Sequence, residues 1–190
     1  MRKTALAFFL IAALLPAAAL RAMEISADML IKDKGETYRS KVYIKGDRFR
    51  MEVEGKEGYS IIRGDLNVMW MVMPGEKAYV ETPMDPGQRP RVEAELPGEA
   101  GRRLIGEETV NGHPARKYEV VLKDGEMEGT ILQWLATDLD GFPIKTASKD
   151  GSWSAEYRDI RTSVPDEVFE VPEGYEELPL PAMPGMGGGD

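Results

Sequence analysis

The chain has 190 residues, a length that fits one domain with tails, and its 24 basic against 33 acidic residues leave a net charge of −9. At 42% hydrophobic and 30% charged it is too apolar for a wholly disordered chain, and the acidic balance excludes a nucleic-acid partner, which needs a basic stripe. The absence of cysteine and the single histidine, His113, exclude a disulfide framework, a thiolate zinc site, a cysteine nucleophile and any two-imidazole relay.

Residues 1–22 read as a secretory signal peptide. Arg2 and Lys3 form a positive start, Ala5 to Leu15 an apolar run, and Pro16 to Ala19 a small-residue end. The run falls short of the roughly 20 residues that span a bilayer. Cleavage fits after Ala19 or after Ala22, and in the second case the loss of Arg2, Lys3 and Arg21 takes the charge from −9 to −12. No cysteine follows, so lipid anchoring in the bacterial lipoprotein manner is excluded. A periplasmic location follows from export.

From residue 23 onward, period-two alternation recurs and Gly, Asp or Asn closes each run. Glu24 to Lys32 is strand-like. Tyr38, Ser40, Val42 and Ile44 share one face of the next strand. After a turn at Lys45-Gly46-Asp47, Phe49, Met51 and Val53 alternate with Arg48, Arg50, Glu52 and Glu54, the pattern of a strand wet on one side. Tyr59–Arg63, Leu66–Met73 and Lys77–Thr82 continue the pattern. Pro83–Gly101 breaks it with four prolines and three glycines, and reads either as a flap whose apolar anchors are Val92 and Leu96 or as a long surface connection, with Arg91–Leu96 long enough for a helical turn. Arg103–Val110 and Ala115–Leu122 flank Asn111-Gly112, a two-residue hairpin signal. Thr130–Thr137, Ile144–Ser148 and Trp153–Ile160 complete the strands. No stretch has the 3.6-residue apolar period of a helix. The domain is therefore expected over residues 23–178, with 179–190 a disordered Pro/Met/Gly tail.

Three short stretches carry a resemblance. They are Lys45-Gly46-Asp47-Arg48-Phe49-Arg50-Met51, then Met69-Trp70-Met71-Val72-Met73-Pro74 after the Gly64-Asp65 turn, and Phe169-Glu170-Val171-Pro172-Glu173-Gly174-Tyr175. In these the chain resembles the LolA/LolB-like periplasmic lipoprotein carriers, and Val110 to Tyr118 looks like a less characterised branch of them. The resemblance implies a mainly β fold: a curved antiparallel sheet forming a half-open barrel with little helix, whose apolar cavity shelters acyl chains. The carriers begin with an amphipathic helix, and here Glu24 to Lys32 is strand-like instead.

Leu66–Met73 is apolar on both sides, with Val68, Trp70 and Val72 on one and Met69, Met71 and Met73 on the other. It reads either as a strand buried on both faces or as one that borders a greasy cavity, where adaptable methionine suits varied chains. The expected ligand-binding residues are Phe49, Met51, Val53, Val68, Trp70, Val72 and Trp134. The ligand is a lipid, an acyl chain or a lipoprotein. The alternative is a half-barrel that recognises another envelope protein, by strand addition at an open edge. No catalytic residue, metal ligand set or cofactor site is expected, and the chain is read as a binder rather than an enzyme. His113 reads as a turn residue, Asp138-Leu139-Asp140-Gly141 lacks the later ligands of a calcium loop, and Met183 with Met186 make a weak thioether pair.

Overall fold

A computed structural model describes residues 23–88, 94–123 and 129–180. The expected signal peptide, nearly all of the tail and Val92 of the flap lie outside these residues. Twelve strands form one sheet: β1 (Glu24–Asp33), β2 (Glu36–Lys45), β3 (Arg48–Val53), β4 (Tyr59–Arg63), β5 (Val68–Met73), β6 (Ala78–Pro83), β7 (Glu99–Val110), β8 (His113–Leu122), β9 (Gly129–Ala136), β10 (Pro143–Ser148), β11 (Trp153–Arg161) and β12 (Glu176–Leu178). The described residues contain no α-helix, only short 3-10 turns at Pro86–Gln88 and Asp166–Phe169. The expected mainly β, largely antiparallel sheet with little helix is what the chain forms.

The spatial order is β12-β6-β5-β4-β3-β2-β1-β11-β10-β9-β8-β7. Every pairing is antiparallel except β12, which lies parallel to β6. Local turn chemistry produces the meanders. At the β7–β8 tip, Asn111 and Gly112 take φ of 50° and 88°, the left-handed pair that a two-residue hairpin turn requires. The sheet is open and does not curl strongly, but it is not flat. β6 and β7 stand ten intervals apart in the order. A flat sheet would separate them by roughly 48 Å, about the full reach of the link 84–98 at ~3.4 Å per residue. That link contains a 3-10 turn and bends, so the sheet curves and twists to be spanned.

Two strands differ from expectation. β7 begins at Glu99, inside the stretch expected to be irregular, because Lys123 N–H donates to Gly98 O and extends the hairpin ladder. β12 was not anticipated: three residues ending one short of Pro179 carry no periodicity, and only the edge of β6 makes them a strand.

The main core joins Ile25, Ala27, Val42 and Ile44 of β1 and β2 to Phe142, Ile144 and Trp134, all 5% exposed or less. A second core, Ile61, Val72, Val164 and Phe169, lies under the segment between β11 and β12. This segment, 162–175, crosses one face of the sheet as a strap.

Candidate functional site

The registers of β3 to β6 assign each side chain to a face. Phe49, Ile62, Met69 and Thr82 form one row across the strands, and Met51, Ser60, Met71 and Val80 form the next. These rows make a face that is apolar except for Ser60 and Thr82. Phe49 and Met51 pack at its inner margin against the main core. Met71 stands 45% exposed in the middle of its strand. A large apolar side chain left open at the centre of a sheet is informative in a way that a scattered surface leucine is not.

The opposite face alternates with it. Arg48 and Arg50, then Tyr59, Ile61 and Arg63, then Trp70 and Val72, and finally Tyr79 and Glu81 lie under or beside the strap. Phe169 of the strap is fully buried against this face, and Val171 and Tyr175 pack beside it. Four cations staple the strap. Lys45 donates to Val164 O at 3.2 Å and pairs with Asp166 at 3.0 Å. Arg48 meets Asp166 at 2.7 Å and lies 5.1 Å from the centre of the Phe169 ring. Arg50 donates to Val168 O at 3.0 Å and stacks 3.7 Å over Tyr59. Arg63 bridges Asp65 and Glu170 at 2.6 and 2.7 Å. The Arg63 hydrogen bond holds the Asp65 carboxyl below its ordinary range, while burial pushes the Tyr59 phenol up.

The residues singled out from the sequence therefore divide into three places. Phe49, Met51 and Val53 share the open apolar face. Val68, Trp70 and Val72 point to the strap side, where Val72 is fully buried and the Trp70 indole donates to Glu81 at 2.8 Å. Trp134 on β9 is 5% exposed, its ring flanked by Lys117 at 4.7 Å and Lys145 at 5.0 Å, its N–H donating to Glu108 at 2.6 Å. Of the flap anchors, Leu96 packs against Val120, Leu122 and Ile131. Met69, Met71, Ile62 and Val80 are the face residues that the sequence-based set omits. Cross-strand register would have found them, since Met51 lies opposite Ser60 and Ser60 opposite Met71.

The remaining chemistry is sparse. His113 bonds Asp138 at 2.9 Å beside its turn. Among the described residues no group of three or more His, Asp or Glu side chains is placed to hold a metal ion. A groove of about 710 Å³ opens on the strap side, between Asp28, Arg39, Lys41, Arg50, Tyr59 and Arg158, with charges of both signs along it.

Several solved structures share this fold. An uncharacterised conserved protein from Thermus thermophilus superposes with a TM-score of 0.56 at 13% identity, over 84% of this chain and 91% of that one. MucB in the Pseudomonas aeruginosa MucA/MucB complex does so at 0.54 and 16% identity, over 79% of this chain, which spans 56% of the matched chain. A LolA superfamily protein from Nitrosomonas europaea aligns with a TM-score of only 0.34 at 14% identity, over 78% of this chain and 90% of that one. No curated protein matches the chain. Residues 23–140 match the model of a domain of unknown function, DUF4412, and the chain belongs to that family.

Proposed function

We propose that this is an exported envelope protein that holds an apolar chain, the acyl part of a lipid or lipoprotein, along the face formed by β3 to β6. The observation that carries the reading is Met71, exposed at the centre of a surface whose other residues are Phe49, Met51, Ile62, Met69 and Val80 with only Ser60 and Thr82 polar among them. Methionine is unbranched and polarisable, so a stripe of it accommodates chains of differing length without a fixed complementary shape. Val53 extends the same face, whereas Val68, Trp70 and Val72 lie on the opposite one, where Trp70 and Val72 pack under the strap. The charged and acidic remainder of the surface keeps the carrier soluble in the periplasm. Binding rather than catalysis fits a site that presents methyl and thioether groups to its ligand.

The test is native mass spectrometry of the full chain recovered from an envelope extract, beside a Met71→Glu variant. A lipid-sized adduct on the wild type that is lost in the variant, with both melting alike, supports the reading. A bare wild-type mass, or an adduct kept by the variant, refutes it. Met71 is a sound position for the test because its exposure lets a carboxylate stay hydrated without unfolding the sheet.

A further inference from the structure

The open face of β3 to β6 carries the hydroxyls of Ser60 and Thr82 among its apolar side chains. Their settings differ. Thr82 lies on β6, whose outer neighbour β12 stops opposite Val80, so no described strand lies beyond Thr82 and its hydroxyl stands at the margin. Ser60 lies on β4, inside the sheet, with Met51 opposite it on one side and Met71 on the other. Ile62, two residues along the strand, shares its face. The Ser60 side chain is half-buried, and among the described residues its hydroxyl has no hydrogen-bond partner. On the bare face that hydroxyl is left to water.

We infer that Ser60 selects acyl esters, its hydroxyl donating to the neutral carbonyl of an ester-linked chain laid across this face. The inference rests on the apolar-chain reading and names the class of chain. A purely hydrocarbon stretch over Ser60 would strip water from the hydroxyl and return nothing, and a polar group left unpaired in this way is costly. A carbonyl at that point restores the bond, while Met51 and Met71 adapt to the chain on either side. A free carboxylate fits worse. The Arg48, Arg50 and Arg63 guanidinium groups belong to the opposite face, and the rows through Phe49 and Met51 hold no cation to offset its desolvation. A site that hydrogen-bonds one group of its ligand rejects the analogue lacking that group more sharply than an apolar surface distinguishes chain lengths.

The experiment is displacement of N-phenyl-1-naphthylamine, a neutral fluorescent probe of apolar sites, from the full chain. The competitors are two lysophosphatidylcholines of equal chain length, one ester-linked and one ether-linked, both kept below the concentration at which they form micelles. They differ only in the carbonyl. The wild type is expected to bind the ester about fivefold or more tightly than the ether. Ser60→Ala should lower the affinity for the ester to that for the ether while melting as the wild type does, and Thr82→Val should keep the preference. Equal affinities in the wild type, or a preference that survives Ser60→Ala, overturn the inference and leave the apolar-chain reading in place. Displacement by neither competitor overturns both.

Discussion

Phe169→Ala is expected to detach the strap and to be the most damaging single change on that side of the sheet. Phe169 is fully buried, its ring between Arg48 and the core of Ile61, Val72 and Val164. Removing a buried phenylalanine costs about 3–5 kcal/mol, through lost transfer energy and the cavity left behind. That is a large share of a total stability of roughly 5–15 kcal/mol. The ion pairs that also hold the strap end on exposed carboxylates, Asp166 at 66% and Glu170 at 53% side-chain exposure, and such pairs contribute little beside a buried ring. The geometry therefore ranks the effects. The Phe169→Ala midpoint should fall steeply, and Asp166→Asn with Glu170→Gln should barely move it. Urea unfolding followed by tryptophan fluorescence reads both, because Trp70 packs beneath the strap in contact with the same core. If Phe169→Ala costs less than about 1 kcal/mol, or the carboxylate double variant costs more than it does, the strap is held by charge and the reasoning fails.

Gly58→Ala should destabilise the start of β4 by about 1–3 kcal/mol, since φ is +98° and a Cβ would sit 2.6 Å from Val72 O; an unchanged denaturation midpoint would contradict this. Gln133→Leu should hold or raise the melting temperature, because the fully buried amide has no partner for either polar atom and an apolar side chain of similar size removes that cost; a marked loss would reveal a bonding partner in solution. Acid should destabilise the chain through carboxylates such as Glu108, which the Trp134 indole and then Lys117 hold below the ordinary 4.5. A folded-state value below the unfolded one means stability is fully present above about pH 4.5 and is withdrawn as pH falls through the lower value. Melting temperatures from pH 7 to pH 3 should drop less steeply for Glu108→Gln, and an identical slope would remove Glu108 from the account.

Strand identity was legible because period-two alternation is a local property. Arg48, Arg50 and Glu52 between Phe49, Met51 and Val53 mark β3 and its two sides without any knowledge of its neighbours, but the charged side expected to be wet is the one the strap covers, with Arg48 and Arg50 only 21% and 17% exposed. Asn111-Gly112 likewise announces its hairpin, since only residues tolerant of positive φ fit both turn positions. The resemblance carried by short stretches of β3, β5 and the strap pointed to the right kind of sheet. Local chemistry was enough for each of these.

What tertiary structure decided is which side of β5 is covered. Val68, Trp70 and Val72 are as apolar as Met69, Met71 and Met73, so no local pattern separates core from surface on that strand. The choice is made by Phe169, Val164 and Val171, nearly a hundred residues later, which cover one side and leave Met71 exposed on the other. The same distance hides β12, a three-residue strand with no pattern of its own until β6 supplies its hydrogen bonds. The place of β7 at the end of the sheet is also a tertiary outcome, since β8 and β9 pair onward to β10 and β11. A sequence encodes alternation residue by residue, whereas coverage is a property of two segments that must first meet.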